Sequence, residues 1–131
     1  IRTWSFMVPE KENRLMVIKK DSDTKPIKLE DDNLSDVQKR VLIGPDDGSN
    51  NIVMRRFTVA PGGFTPHHTH DFEHVVRIEN GKGVVIQDSG KEVTVTKGDS
   101  LFINNNEKHQ FRNPYDKPLE FLCIILNQGI D

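Results

Sequence analysis

The chain has 131 residues, 34% hydrophobic and 29% charged, with a formal net charge of -2 and a single cysteine, Cys123. That length suits one domain with a real core, the near-neutral charge gives no electrostatic basis for binding nucleic acid or an anionic membrane, and one thiol cannot form an internal disulfide. No apolar run approaches the ~20 residues that span a bilayer, and the opening IRTWSFMVPEKENR lacks the features of a signal peptide, so a cytoplasmic protein is the expectation.

In chain order, the first residues carry Trp4, Phe6, Met7 and Val8, followed by a strand-like run over 14–19. Residues 20–36 are polar and acidic and should wrap the surface. LEDDNLSDVQKR (29–40) holds at most one short helical turn, because its apolar periodicity is poor. From there, period-2 alternation and β-branched residues predict strands over 38–43, 52–60, 65–70, 74–79, 83–87, 92–96, 100–103, 109–113 and 119–126. GPDDG, APGG, ENGKG, DSGK, KGD, INNNEK and NPYDKP separate them, all rich in turn residues. DSGK, between VVIQ and EVTVT, reads as a tight hairpin. Neither a repeat nor a domain boundary interrupts this pattern. The reading is one domain over 1–131, with N-terminal strands and a wrapping segment in 1–50 and the barrel proper in 51–127. Many short strands without intervening helices indicate an all-β antiparallel barrel or sandwich.

HHTHDFEH (67–74) concentrates four of the five histidines. On a strand over 65–70, positions 68 and 70 share a face, and His67 and Thr69 point the other way. After a reversal at Asp71–Phe72, His74, Val76 and Ile78 share a face, which should be the interior, with Glu73 turned out. If the distant His109 also points inward, Phe111 does too. A β fold assembles a metal site in this way: two ligands from one strand, one from its neighbour and the last from across the barrel. Two plainer readings stand beside this one, a surface patch of histidines and a closed structural zinc site. The inward spacing argues against the first, and the shortage of thiols against the second.

These residues resemble the cupins. Gly62, His68, His70, position 74 and Gly81 match every spacing of the family's first motif, with His74 in place of its Glu. Gly98, His109 and Asn113 match the second, with Asn104 and Asn106 replacing its Pro and Gly. Asn106 can make the same turn, since Asn tolerates left-handed backbone. The style H-x-H-x-x-E-H, F-R-N, F-L-C is similar to that of small manganese-type single-domain cupins with four-histidine sites. The resemblance spans roughly residues 17–126. It implies a double-stranded β-helix (jelly-roll barrel) with an N-terminal strand extension, and a metal held by His68, His70, His74 and His109. It favours manganese, although imidazole equally suits iron, nickel, copper or zinc. Small cupins of this kind are commonly dimers, and the apolar residues of 1–19 need cover, so a homodimer with that extension packed across the two-fold partner is expected.

Around the metal, Arg55, Phe102, Phe111, Phe121 and Cys123 are candidate pocket residues. Phe57 and the other phenylalanines are core first and pocket wall second. Alternation in FLCIIL puts Phe121, Cys123 and Ile125 on one face, which the resemblance turns inward; Cys123 reads as a small buried hydrophobe. Arg55 shares a face with Val53, Phe57 and Val59, so it should be partly buried and seek an anion, from an internal carboxylate or a substrate. His67, Asp71 and Glu73 should face solvent. Four neutral imidazoles leave a divalent site at +2, and no motif carboxylate is placed as a base. The function expected is a metal-dependent oxidoreductase of dioxygenase type acting on a small enolisable or phenolic substrate. A metal and small-ligand binding module without turnover, and a sugar-type isomerase or epimerase, are the alternatives.

Overall fold

The structure, a computed structural model, describes residues 15–127. Nine strands follow in order: β1 (Ile27–Lys28), β2 (Ser35–Ile43), β3 (Ile52–Phe64), β4 (His74–Asn80), β5 (Lys82–Ile86), β6 (Glu92–Thr96), β7 (Ser100–Ile103), β8 (Gln110–Arg112) and β9 (Leu119–Leu126). The only helical pieces among the described residues are single 3-10 turns at Asp21–Asp23 and Pro45–Asp47, so no helix is long and apolar enough to cross a membrane. All strand pairs are antiparallel. One wall runs β1-β2-β3-β9-β4-β7 and the other β6-β5-β8, joined at the end of β3. The expected jelly roll is the fold that forms.

Alternation decides which residues meet inside. In β9 Leu119, Phe121, Cys123 and Ile125 are buried and their neighbours are not. In β4 the buried set is His74, Val76 and Ile78. These pack with Val37, Val53 and Val59 from one wall and Val85, Val95 and Phe111 from the other. Each such side chain contributes about 1.5–3 kcal/mol when fully buried. Asn113, only 1% exposed, fastens the loop before β9: its Nδ2 donates to the carbonyls of Val59 (2.9 Å) and Lys117 (2.7 Å), and its Oδ1 accepts from Tyr115 N (3.1 Å).

Three expectations need correction. No strand forms over 65–70. Instead β3 continues through Ala60-Pro61-Gly62-Gly63 to Phe64, with Gly62 at φ 82°. Gly62 N donates to Asn113 O (2.7 Å) and Asn113 N to Gly63 O (2.9 Å), so pairing passes through the residues that signal a turn. Beyond Phe64, Pro66 has no N–H to extend the ladder, and only an isolated bridge, His68 to His109, remains. The N-terminal strand is also absent from its described part: Leu15–Lys19 is not strand, and Met16 and Ile18 are over 80% exposed. The remainder, with Trp4, Phe6, Met7 and Val8, lies outside the described residues. Finally, the wrapping segment is more structured than its composition suggests. Asp21 pairs with Arg56 (2.8 Å), β1 pairs with β2, and Leu29 and Leu34 pack against the core.

Two tight turns give a measurable contrast. Gly81 (φ 79°), between β4 and β5, sits where a Cβ would run into the Pro118 carbonyl; Gly90 (φ 87°), in the β5–β6 hairpin, has nothing within 4 Å. Gly90→Ala should therefore cost only the ~1–2 kcal/mol of a left-handed alanine, and Gly81→Ala clearly more. Urea unfolding of both variants checks this, and equal losses would contradict the close approach.

Candidate metal centre

Each histidine near the cavity is placed mainly by backbone pairing. His74 opens β4 opposite Ile103 of β7, which turns it inward to 5% exposure. His109 precedes β8 and exchanges two backbone hydrogen bonds with His68, at 3.3 and 3.2 Å. His70 follows on the same segment, and its carbonyl accepts from Asn106 N at 2.6 Å. Asn106 makes that bond from a left-handed conformation, φ 64°, as its place in the motif suggests.

His70, His74 and His109 each bring a ring nitrogen to within 4.8 Å of the others. Nδ1 of His109 lies 2.9 Å from the Glu107 carbonyl. A carbonyl only accepts, so Nδ1 is the donor of this bond and Nε2 is the nitrogen left to face a metal, an arrangement common among metal-binding histidines. Burial, reinforced by the neighbouring imidazoles and the Arg55 cation, pushes His70 down to about 4 and His74 to about 3 from the ordinary 6.5. His68 is lowered as well, mainly by burial. Near neutral pH His70 and His74 are therefore uncharged donors. Nδ1 of His74 is buried without a hydrogen-bond partner. Three imidazoles each bringing a ring nitrogen to one point, beside a buried His74 nitrogen without a partner, fit a divalent transition metal.

His68 stands apart from this trio. It is exposed, its ring 4.3 Å from that of His70 and 6.4 Å from that of His109, although it lines the same cavity. No strand forms over 65–70, yet the rings of His68 and His70 meet edge to face and both line the cavity.

The histidines border a cavity of about 210 Å³. Phe57, Phe121 and Phe111 stack along its wall, with centroids 5.4 and 4.2 Å apart. Arg55, Phe111, Phe121 and Cys123 all line it. Arg55 is buried; its guanidinium lies 5.0 Å over the Phe57 ring, and Nη2 donates to the Cys123 sulfur at 3.3 Å. Among the described lining residues there is no aspartate or glutamate. Phe102 does not belong to the pocket. It pairs with Val75 on the outer face and is 56% exposed, and the next residue, Ile103, turns in beside His74. The period of two should have flagged Ile103, since it shares parity with Leu101 rather than with Phe102. Leu29 and Leu34 also line the cavity, and nothing in their acidic surroundings announced it. His67, Asp71 and Glu73 face solvent.

Residues 55–125 match the family described as the cupin domain. An oxalate-binding protein of Thermotoga maritima is 35% identical over 72 residues, 54% of this chain and 59% of that protein. A 1-methylthio-D-xylulose 5-phosphate methylsulfurylase of Rhodospirillum rubrum is 37% identical over 73 residues, 55% of this chain and 46% of that enzyme. The chain thus spans about half the length of these relatives. Among solved structures, the polyketide cyclase RemF of Streptomyces resistomycificus superposes with a TM-score of 0.81 at 27% identity, covering 86% of this chain and 80% of that one.

The lowered proton affinities predict how stability varies with pH. Between 6.5 and about 4 the unfolded chain takes up protons that folded His70 and His74 refuse, so acidification favours unfolding. The Tm of metal-free protein should fall across that window, and fall less steeply in His74→Gln. A Tm independent of pH there would show that the imidazoles are not held neutral.

Proposed function

We propose that this chain, which belongs to the cupin family, is a divalent-metal-binding oxidoreductase of dioxygenase type acting on a small enolisable or phenolic compound. The observation that carries the reading is the convergence of His70, His74 and His109 at an aromatic-walled cavity. In this reading His68, at the rim beside His70, is the fourth ligand. Manganese is favoured, with iron, nickel, copper and zinc compatible. When bound, such an ion would supply a Lewis acid, and if redox-active an electron relay.

The chain's own residues would do the rest. The phenylalanine stack offers a flat apolar surface for a planar ligand and keeps water from it. Arg55 adds positive charge, which favours an anionic oxygen facing the histidines. At about 210 Å³ the cavity lies below the ~300–1,000 Å³ of drug-sized sites, so the ligand is small. The lack of a lining carboxylate among the described residues speaks against isomerase chemistry, which needs a base to move protons between carbons. A second reading, binding without turnover, draws support from the relative named as an oxalate-binding protein.

Elemental mass spectrometry of protein purified without added metal is the test, paired with oxygen-uptake assays on catechol-type probes. Near-stoichiometric redox-capable metal is expected, lost in His109→Ala and weakened in His68→Ala, with oxygen uptake that depends on it. Bound metal without uptake of oxygen would favour the binding module. No metal, even after titration with manganese, iron, nickel or copper, would overturn the proposal.

A further inference from the structure

The inward face of β2 brings a second cation into the cavity. Strand register sets Val37 opposite Val59, Lys39 opposite Phe57 and Val41 opposite Arg55. Side chains alternate between faces, so Lys39 points inward with Val37 and Val41. It lines the cavity, half-buried, together with the buried Arg55.

Lys39 and Arg55 are diagonal neighbours across the β2–β3 ladder, which puts their backbones about 7–8 Å apart, within reach of long side chains. Phe57 belongs to both: it is the cross-strand partner of Lys39, and the Arg55 guanidinium lies 5.0 Å over its ring. Arg55 Nη2 also donates to the sulfur of Cys123, its partner across the β3–β9 ladder, at 3.3 Å. Two cations arranged in this way can grip one small anion from two sides.

Register also separates this pair from the histidines. Arg55, Cys123 and Val76 form one inward row across β3, β9 and β4. His74 stands two residues before Val76, one level along the wall, or roughly 7 Å of strand. Lys39, Phe57, Phe121 and Ile78 form the next row on the other side. The wall therefore reads, in order, histidine, arginine, then lysine among phenylalanines. An oxygen at the histidines and an anion at Lys39 and Arg55 would be different ends of one ligand, with aromatic rings alongside its body.

We propose that Lys39 and Arg55 form a carboxylate subsite separate from the histidine cluster, so that the ligand is two-ended. An enol or phenol oxygen faces the histidines, and a carboxylate about one strand level away lies between the two cations. The inference rests on the proposed function in taking this cavity as the ligand site, and it narrows the substrate class to acidic phenols or enols. The guanidinium supplies paired N–H donors that match the two oxygens of a carboxylate, and the ammonium adds a point charge. A cavity of about 210 Å³ leaves little room for a bulkier anion beside the body of the ligand.

Calorimetric titration of the full chain with protocatechuate and with its methyl ester, as purified and after EDTA treatment, is the test. Circular dichroism confirms the folding of each variant. The acid should bind about tenfold or more tighter than the ester. Lys39→Met should remove most of that preference by weakening the acid alone, and Lys39→Arg should keep it. Arg55→Lys, which loses the paired donors, should reduce it severalfold. The preference should outlast removal of the metal, because the carboxylate end does not touch it. Acid and ester bound alike, or weakened equally by Lys39→Met, would overturn the proposal and leave the metal-dependent reading standing. A preference lost on EDTA treatment would overturn it too, since the carboxylate would then sit on the metal. So would the absence of detectable acid binding, whatever the metal content. A chain that takes up no metal yet keeps the Lys39-dependent preference would sink the proposed function and support the subsite.

Discussion

The two backbone hydrogen bonds between His68 and His109 are the constraint on which the site depends. They clamp the segment leaving β3 to the segment entering β8, two stretches far apart in the chain. With that clamp in place, His109 is presented from one side and His70 from the other, and the Asn106 bond to the His70 carbonyl removes the remaining freedom of the loop. His74 arrives separately, through the β4–β7 ladder. The donors are thus positioned by main-chain bonds, and only ring rotation is left to the side chains. Sites set on paired backbone hold their geometry better than sites on free loops.

The electrostatics follow from that placement. His70 and His74, partly desolvated, crowded by other imidazoles and near the Arg55 guanidinium, take up protons only well below the ordinary range. They stay neutral without any need for a base to strip them. The positive field that keeps protons away also biases the cavity toward ligands bearing negative oxygen, and the aromatic stack opposite gives such ligands a flat apolar rest. Proton exclusion and ligand preference come from the same few residues.

Much of the fold was legible because alternation and turn chemistry agreed. The strands Glu92–Thr96, Ser100–Ile103 and Leu119–Leu126 have the boundaries read from the residues alone, each being bounded by glycine, proline or asparagine. Where local signals and pairing disagree, the reading fails for identifiable reasons. Pro61-Gly62-Gly63 looks like a turn, but bonds to Asn113 carry β3 through it. Phe102 is large and aromatic, yet strand parity places it outside and the smaller Ile103 inside. His68 and His70 have the alternation of a strand, but Pro66 and the lack of a ladder leave that segment irregular, and their rings come together without one. Leu29 and Leu34 are hidden in an acidic stretch, and only tertiary packing shows that they reach the cavity. Spacing located the histidines; the roles of their neighbours depended on contacts between segments distant in the chain.

β3 pairs with β2 and β9 along most of its length and with β8 at its far end, so a single strand is common to both walls. In a sandwich whose sheets are joined only by loops, the interior can widen as the sheets part. Here that movement would have to bend one continuous strand, whose Gly62-Gly63 corner is bonded to Asn113. A strand common to both walls therefore sets the aperture over the histidines by main-chain geometry rather than by loop conformation.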